Sequence, residues 1–95
     1  MKFAFLIMSS HEIDSREERA AICDGEFSII SVNDIEDAKR TASELERKGI
    51  GCIELCGAFN EEGCRAVIEA TGGRIPIGYV THLAEQDGVF KKTFG

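Results

Sequence analysis

One amphipathic stretch, NDIEDAKRTASELERKG at positions 33–49, decides how this chain folds. It predicts a helix over Asp34–Lys48, because its apolar residues recur at the spacing that gathers them on one helical face. Asn33 with Glu36 forms an N-cap pair at the start, and Gly49 is the expected C-cap. The apolar stripe of this helix is Ile35, Ala38, Ala42 and Leu45.

Apolar runs on both sides of this helix predict β-strands over Phe27–Val32 and Gly51–Cys56. Similar runs predict strands over Met1–Met8 and Ile75–Val80. The first of these runs is apolar on both of its faces, as in a strand that is covered on both sides. A helix that joins two neighbouring strands makes them parallel, with a right-handed crossover, and this excludes a ferredoxin-like order.

Two further helices complete the predicted order. Ser15 and Glu18 form a capping box, which predicts a short helix ending near Cys23. Asn60 is expected to cap another helix, which ends at Gly72-Gly73. The segment Leu83–Gly95 has no assigned structure, but its phenylalanines indicate that it packs on something.

The resulting β-α-β-α-β-α-β order describes a single small α/β domain over residues 1–95, with a four-stranded, mainly parallel sheet. Two layouts stay open. In a flavodoxin-like fragment the strand order reverses, and helices cover both faces. In a half-barrel with strands in the order 1-2-3-4, all helices lie on one face, and the bare face needs a partner subunit. We therefore expect a homo-oligomer, either a dimer or a larger assembly.

Composition narrows the partners and the compartment. The net charge of -6 disfavours nucleic acids and anionic membranes, which are themselves negative. No segment has the roughly 20 apolar residues that a membrane span needs. No cysteines form a Cys-x-x-Cys pair, and Cys52 and Cys56 lie about 13 Å apart along a strand. We expect a cytoplasmic protein, in which all four thiols are reduced and mainly fill apolar space.

Open parallel sheets bind ligands at the carboxyl ends of their strands, and both histidines of the chain fall at that edge. His11 follows the first strand and His82 follows the last. Imidazole titrates near neutral pH, so both are candidates for proton transfer. Small and polar residues at the same edge are candidates for binding a small anionic or polar ligand: Ser9, Ser10, Asn33, Cys56, Gly57 and Asn60.

Glu54 is the most unusual residue, because it lies in the middle of an otherwise apolar strand. Alternation places Cys52, Glu54 and Cys56 on one face of the sheet. An unpaired buried carboxylate is costly, and such groups cluster at functional sites. One hypothesis makes Glu54 a catalytic acid/base that works with His11 and His82. The rival hypothesis makes it a solvent or interface carboxylate, paired with Lys or Arg, in a non-catalytic oligomeric module.

The sequence leaves the cofactor unknown. Neither G-x-G-x-x-G nor a P-loop pattern is present, so the turn that begins at Cys56 carries no nucleotide signature. No fixed spacing of His, Cys and acidic residues predicts a metal site. Cys56 is also a candidate thiolate nucleophile if a histidine lies beside it.

Three segments, IELCGAF at 53–59, VIEATGG at 67–73 and IPIG at 75–78, resemble a family of short prokaryotic proteins. That family is classed as a domain of unknown function. The likeness covers most of the chain and is most specific at IELCGAF. It implies kinship but no activity, cofactor or site residue.

Overall fold

The computed structural model describes residues 1–95, which form one five-stranded sheet with three α-helices. Short 3-10 turns lie at Cys23–Gly25, Gly57–Phe59 and Ala84–Gln86. No helix is both long enough and apolar enough to cross a membrane. The strands are β1 (Lys2–Met8), β2 (Arg19–Ile22), β3 (Phe27–Val32), β4 (Ile50–Leu55) and β5 (Ile77–Tyr79). The helices are α1 (Ile35–Arg47), α2 (Asn60–Ala70) and α3 (Asp87–Phe94).

The sheet has the strand order β2-β3-β1-β4-β5. The strands β3, β1, β4 and β5 are mutually parallel and correspond to the four strands that the sequence predicts. β3 lies on one side of β1, and β4 and β5 lie on the other side. The strand order therefore reverses at β1, as in a flavodoxin-like fragment. The half-barrel order 1-2-3-4 is therefore wrong. The mainly parallel α/β class is confirmed, with a fifth strand added at one edge.

The predicted helix ending near Cys23 is wrong. Its second half is the edge strand β2, which pairs antiparallel with β3 and places Ala20 opposite Ile29. Ser15 does not cap a helix, because its hydroxyl donates to Asp37 Oδ1 at 3.1 Å. Pairing with β3 satisfies the backbone groups of a segment too short to be a stable isolated helix.

One face of the sheet holds the whole buried core. Helices α1 and α2 lie against this face and against each other. The predicted stripe of α1 is confirmed, with Ala38, Ala42 and Leu45 buried and Ile35 partly buried. The sheet contributes these fully buried side chains: Ala4, Leu6, Ile30, Val32, Ile53 and Leu55.

The opposite face of the sheet carries no helix and is called the open face below. Its apolar surface is exposed, with Ile22 65% and Ile29 53% accessible. Strand alternation explains its composition, because each strand sends every second side chain away from the core. The open face is lined by Phe3, Phe5, Ile7, Ala20, Ile22, Phe27 and Ile29.

The route of the chain between β1 and β3 explains why this face is bare. The segment 9–18 packs along α1, where Ile13 N donates to Asn33 Oδ1 at 2.8 Å. Further along the segment, Arg16 Nη2 lies 3.8 Å from Glu44 Oε1 on α1. A right-handed helical crossover from β1 to β3 would have covered the open face, because it steps in the opposite direction to the later crossovers. The connection on the α1 side leaves that face without cover.

Candidate functional site

An open hollow of about 480 Å³ lies at the carboxyl edge, where the loops after β1 and β3 meet. It brings together four of the predicted site residues with three of their neighbours. Its lining is almost entirely polar, as the sequence predicts for this edge. The lining residues are Ser9, Ser10, His11, Glu12, Ile13, Asn33 and Asp34.

Asn33 ties the loop after β1 to the start of α1. Its Nδ2 donates to Ile13 O at 2.8 Å and to Asp37 Oδ2 at 3.0 Å. Asn33 is not the N-cap that the sequence predicts, because Asp34 takes that position and accepts from Asp37 N at 2.8 Å. The amide of Asn33 is therefore engaged in holding the hollow together.

Asp37 is the charged centre of this arrangement. Burial acts to raise the pKa of Asp37, but the pKa is lowered overall. The lowering comes from hydrogen bonds donated by the Asn33 backbone, by Ser15 and by the Asn33 side chain, with the charge of Arg40 adding to them. Sequence reasoning passed over Asp37, since an acid in the first turn of a helix is ordinary.

The serine and histidine side chains of the hollow differ in how they are engaged. Ser9 Oγ accepts from His11 N at 3.0 Å and donates to His11 O at 2.8 Å, which closes a tight local turn. The side chains of His11 and Glu12 form no hydrogen bond or ion pair within the chain. These two exposed side chains and the hydroxyl of Ser10, which also forms no hydrogen bond, are left to meet a ligand.

The other residues predicted at this edge do not line the hollow. Asn60, the first residue of α2, has non-helical backbone angles with a φ of 50°, and its Oδ1 accepts from Glu62 N at 3.1 Å, so its side chain caps the helix as predicted. Gly57 lies so close to the end of β5 that an added Cβ would be 3.4 Å from Val80 O. Cys56 accepts a hydrogen bond from Met8 N at 3.3 Å and packs against the core, so it does not share a face with Glu54.

His82 lies in the C-terminal tail, away from the hollow. Its Nε2 is 2.7 Å from Asp87 Oδ1, and its ring stacks on Phe90 with centroids 3.9 Å apart. The ring of Phe90 in turn stacks on Phe94 at 5.7 Å. His82 is thus engaged in ordering the tail, and it does not line the hollow that contains His11.

Glu54 projects from β4 on the open side of the sheet, opposite Phe5 on β1 and Gly78 on β5. Its carboxylate lies over Gly78, where an added Cβ would come within 3.0 Å of Oε2. It forms no ion pair, so the predicted pairing with Lys or Arg does not occur within the chain. Burial and the charge of Glu54 raise the pKa of Cys52, its neighbour on the same strand. Glu54 therefore stands apart from the hollow as an unpaired charge.

These features define an α/β protein with a flavodoxin-like strand order, a polar hollow at its carboxyl edge and helices on only one face of the sheet, so the expected cover on both faces is wrong. The chain belongs to a family of unknown function, DUF6506, whose sequence profile matches residues 1–95. The resemblance to an uncharacterised family is therefore confirmed. Comparison with curated proteins and with solved structures finds no match to this chain.

Proposed function

We propose that this protein is a non-catalytic homo-oligomeric module, in which the open face packs against a second copy of the chain. The observation that carries the proposal is the exposure of large apolar side chains on the part of the open face that β1, β2 and β3 form. The five strands present roughly 400 Å² on that face, at about 3.3 Å per residue and about 4.8 Å between strands. The apolar part of this area belongs to β1, β2 and β3, and an exposed apolar patch on the order of a few hundred Å² is often an interaction site.

A second copy is favoured because the groove of the open face carries no charge that would repel an identical groove. Each chain carries a net charge of -6, which opposes the approach of two copies in most orientations. The side chains that line the groove on β1, β2 and β3 are uncharged, so this part of the open face allows a close approach, while Glu54 lies outside the groove on the same side of the sheet. A chain of 95 residues also buries only a thin core, and association adds the cover that it lacks.

Light scattering after size-exclusion chromatography at micromolar concentration tests the proposal. Wild type is expected to elute as a dimer or larger species, and Ile29→Asp on the open face as a folded monomer by circular dichroism. Ile68→Asp is the control, because Ile68 lies on α2 and is also exposed, 38% against 53% for Ile29. A monomeric wild type, or an oligomer that Ile29→Asp leaves intact, would contradict the proposal.

A second candidate function is the binding of a small anionic or polar ligand in the hollow. The observation that favours it is the pair of unengaged side chains, His11 and Glu12, beside the polar atoms of Ser10. Binding is favoured over catalysis, since neither Glu54 nor His82 lines the hollow. We also propose a cytoplasmic location, which the four free thiols support and which is compatible with either candidate function.

A thermal-shift titration with inorganic phosphate and citrate tests this second candidate. A ligand that binds only the folded chain raises its melting temperature, and the stabilisation grows with the logarithm of the ligand concentration above the Kd. The shift is expected in wild type and lost in His11→Ala, while His82→Ala retains it. Equal shifts in all three proteins would show that the anions act on general stability and would reject the hollow as their site.

A further inference from the structure

We propose that helix α3 of the second copy covers the open face, so that two chains exchange their C-terminal tails, residues 82–95, reciprocally. This inference rests on the proposed function, since it names the segment that contacts the same face. Its first support is that one chain carries two unpartnered apolar surfaces. In a two-fold assembly, the open face of each copy can pack against the apolar side of α3 from the other copy.

The tail is apolar and exposed in the single chain. None of the residues of α3 is buried, and Phe94 is 79% accessible. Leu83, just before the helix, is 70% accessible. The tail is not seated on the open face of its own chain, although it holds a defined shape through the His82 and Phe90 stack. Its apolar side is thus formed and available to a second chain.

The open face offers a receptor for such a side chain. A groove of about 370 Å³ crosses it and is lined by seven apolar residues and one serine. Aromatic rings at the centre of an interface are typical anchors, because they bury much area at a small cost in conformational entropy. Phe94 is the most exposed aromatic residue of the chain and is the expected anchor.

The area of the open face favours an exchange over simple face-to-face stacking. Each face contributes roughly 400 Å². A stable interface of standard size needs about 800 Å² from each partner. The apolar side of a docked α3 adds to the buried surface of both copies, which brings the contact closer to that size.

Charge also selects this occupant. Glu54 is unpaired and lies at the margin of the open face, so a cover that brings a cation would offset the cost of burying its carboxylate. The residues that line the open face include no Lys or Arg, so a second face alone cannot supply one. Lys91 and Lys92 of α3 form no ion pair within the chain and could reach Glu54 of the second copy.

Sedimentation equilibrium on the full chain tests the exchange through Phe94→Asp. Removing the anchor is expected to raise the dimer Kd by about ten- to hundredfold, from the apolar area that a buried phenylalanine withdraws from water. Thr93→Asp is the matched control, because it places the same charge in the same exposed helix and should change the Kd less than about threefold.

Charge reversal gives a second, independent arm. Glu54→Lys lowers the net negative charge, so a general reduction in repulsion would tighten the dimer. Pairing with the tail instead predicts that this variant weakens it, by about two- to fivefold. Adding Lys91→Glu and Lys92→Glu to Glu54→Lys should restore affinity, although it increases the net negative charge again. Losses that simply add would overturn the pairing.

The outcomes separate the inference from the proposed function. A dimer that is disrupted by Ile29→Asp but unaffected by Phe94→Asp would overturn the tail exchange and leave the open-face module standing. A monomeric wild type would overturn both. A dimer that both variants disrupt, with Thr93→Asp unaffected, supports the exchange.

Discussion

Replacing Asp37 with Asn should weaken the fold at the point where the loop after β1 is attached to α1. The Asp37 carboxylate accepts from Asn33 N at 2.9 Å and from Asn33 Nδ2 at 3.0 Å. It also accepts from Ser15 Oγ at 3.1 Å and pairs with Arg40. Only 9% of its side-chain surface is accessible, so water cannot readily replace these partners.

The size of the effect follows from these contacts. The amide that replaces the carboxylate would turn one acceptor oxygen into a donor that faces other donors. This removes at least one charge-assisted hydrogen bond and weakens the rest. Each such bond contributes about 1.5–3 kcal/mol to stability. We therefore expect Asp37→Asn to lower the free energy of unfolding by about 2–4 kcal/mol at pH 7.

The pH dependence gives a sharper signature. Burial acts to raise the pKa of Asp37, but the hydrogen bonds and Arg40 outweigh it and hold the pKa below its ordinary value of 3.8. A carboxyl whose pKa is lower in the folded state contributes stability that is fully present above its unfolded pKa. That contribution is lost as the pH falls through the lower, folded pKa. The difference between wild type and Asp37→Asn should therefore shrink with acid.

Urea unfolding, monitored by circular dichroism at pH 7 and at a series of pH values below 4, measures both effects. Glu36→Gln is the control, because Glu36 is in the same helical turn but its side chain is 81% exposed and pairs only with Lys39. It should change stability by less than about 0.5 kcal/mol. A similarly small loss in Asp37→Asn at pH 7, or a loss that does not depend on pH, would refute the reasoning.

Two further predictions concern the core and the open face. Leu6→Ala should lower the free energy of unfolding by about 2–5 kcal/mol in urea, since Leu6 is fully buried at the centre of the sheet; a loss below about 1 kcal/mol would mean that the site collapses around the smaller side chain. Glu54→Gln should speed the alkylation of Cys52 by iodoacetamide relative to exposed Cys23, because the charge of Glu54 adds to burial in raising the pKa of the Cys52 thiol. The rates are measured by mass spectrometry in the Ile29→Asp background, because assembly cannot protect the thiol in a monomer. An unchanged ratio of rates would contradict the electrostatic account.

The long helix and the parallel strands were predictable because their signals are local and mutually consistent. The apolar stripe of α1 recurs over the helix, and Gly49 follows it with a φ of 98° that suits a C-cap. Asn60 caps α2 with its side chain, and Gly72 ends it with a positive φ. At each of these places, local preference and tertiary structure favour the same conformation.

The segment that became β2 was not predictable from its own residues. Ser15 and Glu18 have the spacing of a capping box, and an edge strand of four residues is too short to show strand alternation. What decides the outcome is non-local, namely the free edge of β3 and the bond from Ser15 to Asp37 on α1. Local helix signals are weak priors, and tertiary contacts overrode them here.

The candidate site residues also fall into some that the sequence places correctly and others that it does not. The position of His11 at the carboxyl edge follows from where β1 ends, so the sequence placed it correctly beside Asn33. The position of His82 depends on the path of the chain after β5, where the stack with Phe90 directs it into the tail. A shared sheet edge fixes which strand ends are neighbours, but it does not fix where the loops that follow them travel.

The open face connects the wrong helix prediction to the proposed function. A helix between β1 and β3 would have covered that face through a right-handed crossover. The chain instead forms β2 and passes along α1, so both faces of β1 are apolar although the core covers only one. The sequence of β1 therefore matches a strand with cover on both sides, and this chain supplies cover for one side only. The apolar surface of Phe3, Phe5 and Ile7 is consistent with a cover that a second copy provides.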